Sequence, residues 1–265
     1  MENFSINFLI KETKKELNSG IFINKLKIKK EFLVFLTSKT NIFFPLTPKS
    51  PPFFLSNKKV SGEDIKSSDI NVFRKYFENS FLYSIEKPFF ERVIFFKLKK
   101  RMIWGEEKDF YFIVNCATLP NRWYITDENK KILYSKNDPD AVSGTTFLMP
   151  QTEKEELTEE KLKEIENLTP KEIARKFKGF STNYAKELKE TKEKGKFFQK
   201  LLECKAEGGF KYQKNCYPIK METLNPLIKT YPSFNQCVEE SFFSKLHFDQ
   251  IEKLKNKLKK GLKKS

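Results

Sequence analysis

Two short apolar runs, residues 93–98 and 110–114, lie on either side of a charged stretch, residues 99–108. Both are aromatic and β-branched, and both are too short for a lone helix, so they predict the two strands of a hairpin. The rest of the fold is arranged around that hairpin. A third strand is expected over 123–126, and the turn Asp127, Glu128, Asn129, Lys130 leads into a fourth over 131–135. Glu91 and Arg92 stand at the entry to the first of these strands. Neighbours in an extended chain point to opposite faces, so one can anchor while the other reaches out.

Upstream of the hairpin, Asn3–Leu17 carries Phe4, Phe8 and Leu9 on one face and predicts an amphipathic helix, stopped at Asn18, Ser19 and Gly20. Strands are expected over Ile21–Ile28, Phe32–Thr37 and Asn41–Pro45, with prolines 45, 48, 51 and 52 marking an edge or a loop and the sheet resuming at 53–55. Ser68 or Asp69 caps a short helix whose Ile70, Phe73 and Phe77 share a face, and Phe81, Tyr83 and Ile85 alternate into a further strand.

Downstream, residues 136–151 are irregular and separate a β-rich body from a helical part. Thr152 and Glu155 offer a capping box for a charged helix, and Thr169, Pro170 and Glu172 give a stronger start signal for the next one. Gly179 ends that helix and Ser181 caps its successor. Two helices joined through a glycine resemble a helix-hairpin-helix, whose backbone amides can hold a phosphate. Structural packing is the preferred reading of this turn. Lys186, Lys189, Lys192, Lys194 and Lys196 make a basic surface beside it in either case. A small hairpin is expected over 210–217, and a terminal helix after Ser233 keeps an apolar stripe at Ile251, Leu254, Leu258 and Leu262 among many lysines. The expected class is therefore α+β: a β-rich body over 1–150, a helical segment over 151–205, and a C-terminal segment over 206–265 ending in a basic helix.

The 265 residues hold 51 Lys and Arg against 35 Asp and Glu, a formal charge of +16. Such a balance favours a polyanionic partner through steering and counterion release. A proteome rich in lysine would give the same balance without one. No apolar run is long enough to span a bilayer and the first residues lack a signal-peptide layout, so no membrane partner and a cytoplasmic location are expected. The cysteines 116, 204, 216 and 237 are scattered, and with one histidine they suggest buried free thiols rather than a zinc site. His247 lies in the helical tail, away from any nucleophile elbow, and no phosphate-loop or dinucleotide fingerprint occurs. Neither an enzyme nor a cofactor is expected.

Four segments in order carry a resemblance: Glu91-Arg92-Val93; Pro120-Asn121 with the strand that follows; Ser143-Gly144 with Phe147; and Gly179-Phe180-Ser181 with Tyr184-Ala185. Together they resemble the N-terminal domain of the NFACT family, the ribosome quality-control proteins related to RqcH and also called fibronectin-binding protein A-like. The resemblance covers nearly the whole chain. It implies a body similar to the N-terminal fold of formamidopyrimidine-DNA glycosylase, followed by a helix-hairpin-helix-like segment. It implies binding to tRNA and to the large ribosomal subunit in the rescue of stalled ribosomes. The site residues it implies, with the neighbouring basic groups, are Glu91, Arg92, Arg122, Lys186 and Lys189, with Glu91 orienting Arg92.

This sequence departs from the family's pattern in several places. Glu91 stands where the family has Asp, and Thr118-Leu119-Pro120-Asn121 lacks the family's histidine. The family continues into a coiled coil and a second conserved domain, so tail synthesis is not expected of this span alone. Glycosylase chemistry is disfavoured, because Glu2 follows Met1 where those enzymes use a proline, and no cysteine-rich finger is present. A protein-interaction module of the fibronectin-binding kind is the alternative. A contiguous apolar patch would favour it, whereas a basic groove lined by Arg92 would favour RNA.

Overall fold

The computed structural model describes residues 1–60, 64–65, 67–213 and 215–262, and of residues 250 and 253–262 the backbone alone. Of the terminal stripe expected at Ile251, Leu254, Leu258 and Leu262, the side chain of Ile251 alone is among those described.

The central hairpin is β6 (Val93–Arg101) and β7 (Glu107–Asn115). Both strands run further than their apolar runs, through the charged stretch. Lys99 pairs with Asp109 and Arg101 with Glu107 across the ladder, and such opposite-charge pairs favour the exposed end of a hairpin. The turn closes with Met102 N donating to Glu106 O at 2.7 Å. Seven further strands complete the sheet: β1 (Ile21–Ile28), β2 (Phe32–Thr37), β3 (Asn41–Pro45), β4 (Phe54–Ser56), β5 (Ser80–Glu86), β8 (Arg122–Asp127) and β9 (Ile132–Lys136). Their order is β4-β3-β2-β1-β5-β6-β7-β8-β9, antiparallel throughout.

This sheet curls over on itself. Phe44 of β3 and Trp123 of β8 are six strand steps apart, which in a flat sheet is roughly 29 Å. Their ring centroids are 6.3 Å apart, and Phe44 also meets Phe96 and Phe112 at 5.1 and 5.0 Å. One face of the sheet is therefore turned inward around a core of phenylalanines. The outer face of β6–β9 carries a smaller cluster, in which Val93, Phe95, Ile113, Tyr124 and Ile132 are covered by Phe147. Further towards the hairpin's turn that outer face is open.

Helix α1 (Asn3–Leu17) buries Phe4, Phe8 and Leu9 against the main core, and α2 (Ser68–Phe77) buries Ile70, Phe73 and Phe77. The cap of α2 is Ser67, one residue ahead of the two expected, its hydroxyl accepting from Asp69 N. The charged helix expected from Thr152 does not form. With Leu157 its one buried side chain, the segment has no apolar stripe to pack. It instead lies extended beside α3 (Pro170–Lys176), exchanging Glu155 N to Lys176 O at 2.9 Å and Lys178 N to Glu155 O at 2.7 Å. A 3-10 turn, Glu160–Asn167, follows it. The capping box at Thr169 and Glu172 forms as expected. The basic run at 186–196 is split between α4 (Thr182–Glu190) and α5 (Lys194–Leu202). The small hairpin, β10 (Gly209–Tyr212) with β11 (Asn215–Tyr217), gains a third strand, β12 (Leu227–Tyr231), before α6 (Phe234–Leu262).

Candidate nucleic-acid interface

Glu91 and Arg92 sit in the bend just before β6. Asparagines of the first turns of α1 hold the approach to it: Asn3 and Asn7 both donate to Phe89 O, at 3.1 and 3.0 Å. Arg92 turns to the N-terminal side of the sheet, where its Nη2 donates to Met1 O at 3.0 Å and its Nε is buried without a partner. It stands beside Cys116, whose thiol burial pushes up to about 12 against the pull of the guanidinium. Glu91 does not orient it. The Glu91 carboxylate has no hydrogen bond or ion pair among the described residues, while the guanidinium is taken by the Met1 carbonyl.

The other basic residues singled out from the sequence, and the arginines of α2 and β6, do not gather around Arg92. Arg122 projects to the opposite face of the sheet and pairs with Asp138 at 3.1 Å. Arg74 pairs with Asp64 at 2.7 Å, and Arg101 is at the far end of β6, about 27 Å along a nine-residue strand. On α4, Lys189 donates to Leu168 O at 2.6 Å and Lys186 lies 4.0 Å from Glu190.

The Gly179 turn is a packing device. Gly179 has φ +80°, and a Cβ there would stand 2.9 Å from Asn3 Nδ2 and 3.1 Å from the Phe90 ring. The start of α4 already faces an anion, since the Glu2 carboxylate accepts from Ser181 Oγ at 2.6 Å, Asn183 Nδ2 at 3.1 Å and Tyr217 OH at 3.0 Å. The chain's own carboxylate stands where a phosphate would be drawn.

An open basic groove of about 420 Å³ lies elsewhere, over the outer face of the central hairpin. Lys14 of α1, Lys87 ahead of β6, Lys97 of β6 and Lys130 of the β8–β9 turn surround it, with Glu86 the acid among them. Phe95 and Tyr111 form its floor. Lys130 Nζ lies 5.7 Å from the Phe95 ring and Lys97 Nζ 5.8 Å from the Tyr111 ring, within cation–π range. Lys97 also pairs with Glu86 at 2.8 Å, which holds that carboxyl below its usual range. Lys87 is held differently from the rest. Its Nζ donates to Asn7 Oδ1 at 2.6 Å, Phe89 O at 2.7 Å and Pro88 O at 3.0 Å, and burial brings it down to about 7. Alternation along β6 puts Lys97 on the outer face in sequence terms. Lys14 and Lys130 come from elements distant in the chain, and no local pattern announces them.

No family model matches the sequence. No curated protein matches it either. Solved structures do match in fold. The N-terminal part of the fibronectin/fibrinogen-binding protein of Streptococcus suis superposes with a TM-score of 0.78 at 15% identity, covering 92% of this chain and 99% of that one. The fibrinogen-binding protein of Staphylococcus aureus gives 0.74 at 18%, covering 89% and 97%. The N-terminal domain of the fibronectin-binding protein PavA of Streptococcus pneumoniae gives 0.63 at 18%, covering 92% and 98%. Arg92, the hairpin groove and the filled turn at Gly179 thus stand on a fold shared with the N-terminal domains of fibronectin- and fibrinogen-binding proteins.

Proposed function

We propose that this protein is an RNA-binding module of the cytoplasm that engages tRNA, the large ribosomal subunit, or both, in the rescue of stalled ribosomes. What supports the reading is the groove: lysines from four separate elements converge over two aromatic rings, with one acid among them. Phosphates meet the ammonium groups there, and the rings offer faces to bases. The module binds and does not catalyse. Arg92 belongs to the proposal as a second contact at the N-terminal end of the same hairpin, with Glu91 free beside it. In this reading the α3–α4 pair is a helix-hairpin-helix-like support, and the body is akin to the N-terminal fold of formamidopyrimidine-DNA glycosylase. The test is retention of tRNA on a filter across a salt series. Affinity is expected to fall steeply as salt rises, because phosphate contacts release counterions. Binding that is absent, or flat with salt, ends the reading.

A second reading has one observation in its favour. At the tip of the central hairpin Ile103 and Trp104 are 97% and 94% exposed, an apolar pair with nothing over it among the described residues. The names of the structural neighbours point to fibronectin or fibrinogen as partners of those proteins. Capture on immobilised fibronectin or fibrinogen that is lost in Trp104→Ser would favour this reading over RNA.

A further inference from the structure

The outer face of the sheet does not end at the groove. On β5 the residues facing the core are Leu82 and Ile85, while Phe81 and Tyr83 point the other way and are 38% and 37% exposed. Phe22 of β1, paired directly with Phe81, is 45% exposed. Phe81 in turn pairs with Lys99 of β6, and Ser84 with Lys97, which pairs with Tyr111 of β7. Direct partners across a ladder project from the same face. Phe22, Phe81, Tyr83 and Tyr111 therefore form one aromatic surface, with Lys97 and Lys99 set between the rings. It is continuous with the groove through Lys97 and Tyr111.

We infer that this open sheet face is a binding site for single-stranded RNA, whose bases stack on Phe22, Phe81 and Tyr83 while its phosphates run over Lys97, Lys99 and the lysines of the groove. The inference rests on the RNA-binding reading and names the form of RNA that the site takes. Three rings on an open sheet face form the kind of exposed apolar surface that marks a contact site. Lysine is depleted at the cores of protein–protein interfaces, and here lysines stand among the rings. Only unpaired bases present their faces to side chains, since duplex bases are already stacked on one another. The face also carries acids, and they leave it usable. Glu107 lies 3.8 Å from Lys99 in an exposed pair, which is worth little in water and opens readily to a phosphate. Asp109 is held by the Tyr83 hydroxyl at 3.2 Å, which fixes the ring's outward position.

The test compares a labelled oligouridine with a blunt RNA duplex of equal charge, by fluorescence anisotropy at fixed salt. The wild-type protein is expected to prefer the single strand. Phe81→Ala/Tyr83→Ala is expected to lose about tenfold or more of that affinity, the scale of base–aromatic stacking, with duplex binding unchanged. Ultraviolet cross-linking of the wild-type protein, mapped by mass spectrometry, needs no variant and should place the adduct on Phe22, Phe81 or Tyr83. Cross-links elsewhere, or an alanine variant that binds oligouridine as the wild type does, overturn the inference and leave the RNA reading standing. Concentration-dependent dimerisation abolished by Phe81→Ala/Tyr83→Ala would overturn it in favour of a second copy of the chain. Failure of the wild type to bind any RNA would remove the broader reading as well.

Discussion

The α3–α4 helix pair and the hairpin groove both carry cations, and the fold treats them in opposite ways. At the start of α4, Glu2 arrives from the start of the chain and supplies the anion, while Lys189 in the last turn of that helix is committed to Leu168 O. At the groove, Lys14 and Lys130 have no ion-pair partner among the described residues, and Lys130 lies over an aromatic ring. A lysine is most readily available to a polyanion where the fold has not already placed an acceptor beside it. Net charge does not report this, because it counts committed and free cations alike.

Lys87 tests that division most severely, since it lines the groove and is nevertheless held by three oxygens. Burial brings it to about 7 from an ordinary 10.5. Between those values the unfolded chain binds a proton that the folded chain lacks, so stability rises with pH across that window and is level on either side of it. Relative to Lys87→Met, the wild type should gain stability from pH 7 to pH 10.5, by at most about 5 kcal/mol for the 3.5 units between about 7 and 10.5. Urea unfolding of both proteins at several pH values measures it. A constant difference would mean that the three oxygens keep the ammonium charged, and Lys87 would then count among the groove's cations.

The turn's side of the comparison gives two smaller effects. Glu2→Ala leaves the donors of Ser181, Asn183 and Tyr217 without their carboxylate and should cost about 2–3 kcal/mol. If the turn is structural, affinity for tRNA stays unchanged in that variant. A rise in affinity would show that Glu2 had been excluding a phosphate. Gly179→Ala places a Cβ against Asn3 at a positive φ and should cost about 1–3 kcal/mol, read from a thermal melt.

The sequence made the strands legible because inward and outward residues alternate, and the hairpin because its apolar runs are too short for helices. Closure of the sheet was not legible. It depends on Phe44 meeting Trp123 across six strand steps, which no local period encodes. The setting of Arg92 was also hidden, since its hydrogen-bond partner is the Met1 carbonyl, 91 residues away. Motif order drew attention to Arg92, Arg122, Lys186 and Lys189, of which Arg92 and Arg122 point to opposite faces of the sheet and the lysines belong to α4. The groove was missed because all four of its lysines are outside those motifs and only the fold brings them together. The helix expected from Thr152 and Glu155 failed for a related reason: a capping signal starts a helix only when an apolar stripe follows it.

The smallest effects divide the two regions most cleanly. Lys130→Gln removes an exposed cation whose ammonium lies 5.7 Å from the Phe95 ring and has no ion-pair partner among the described residues. Stability should move by less than about 0.5 kcal/mol. If phosphates cross the groove, the slope of log affinity against log salt for tRNA should fall by about 0.7–0.9, the contribution of one phosphate contact. Lys189→Gln is the matched control on α4. It loses a 2.6 Å hydrogen bond to Leu168 O, so it should cost about 1 kcal/mol while leaving the salt slope alone. The pair is informative because each removes one positive charge, so any effect of net charge on long-range steering is common to both. Filter binding across salt beside a denaturant melt gives two numbers for each variant. If Lys189→Gln lowers the slope and Lys130→Gln does not, the polyanion runs along α4, and an acceptor at hydrogen-bond distance is then no guide to which lysines a partner can use.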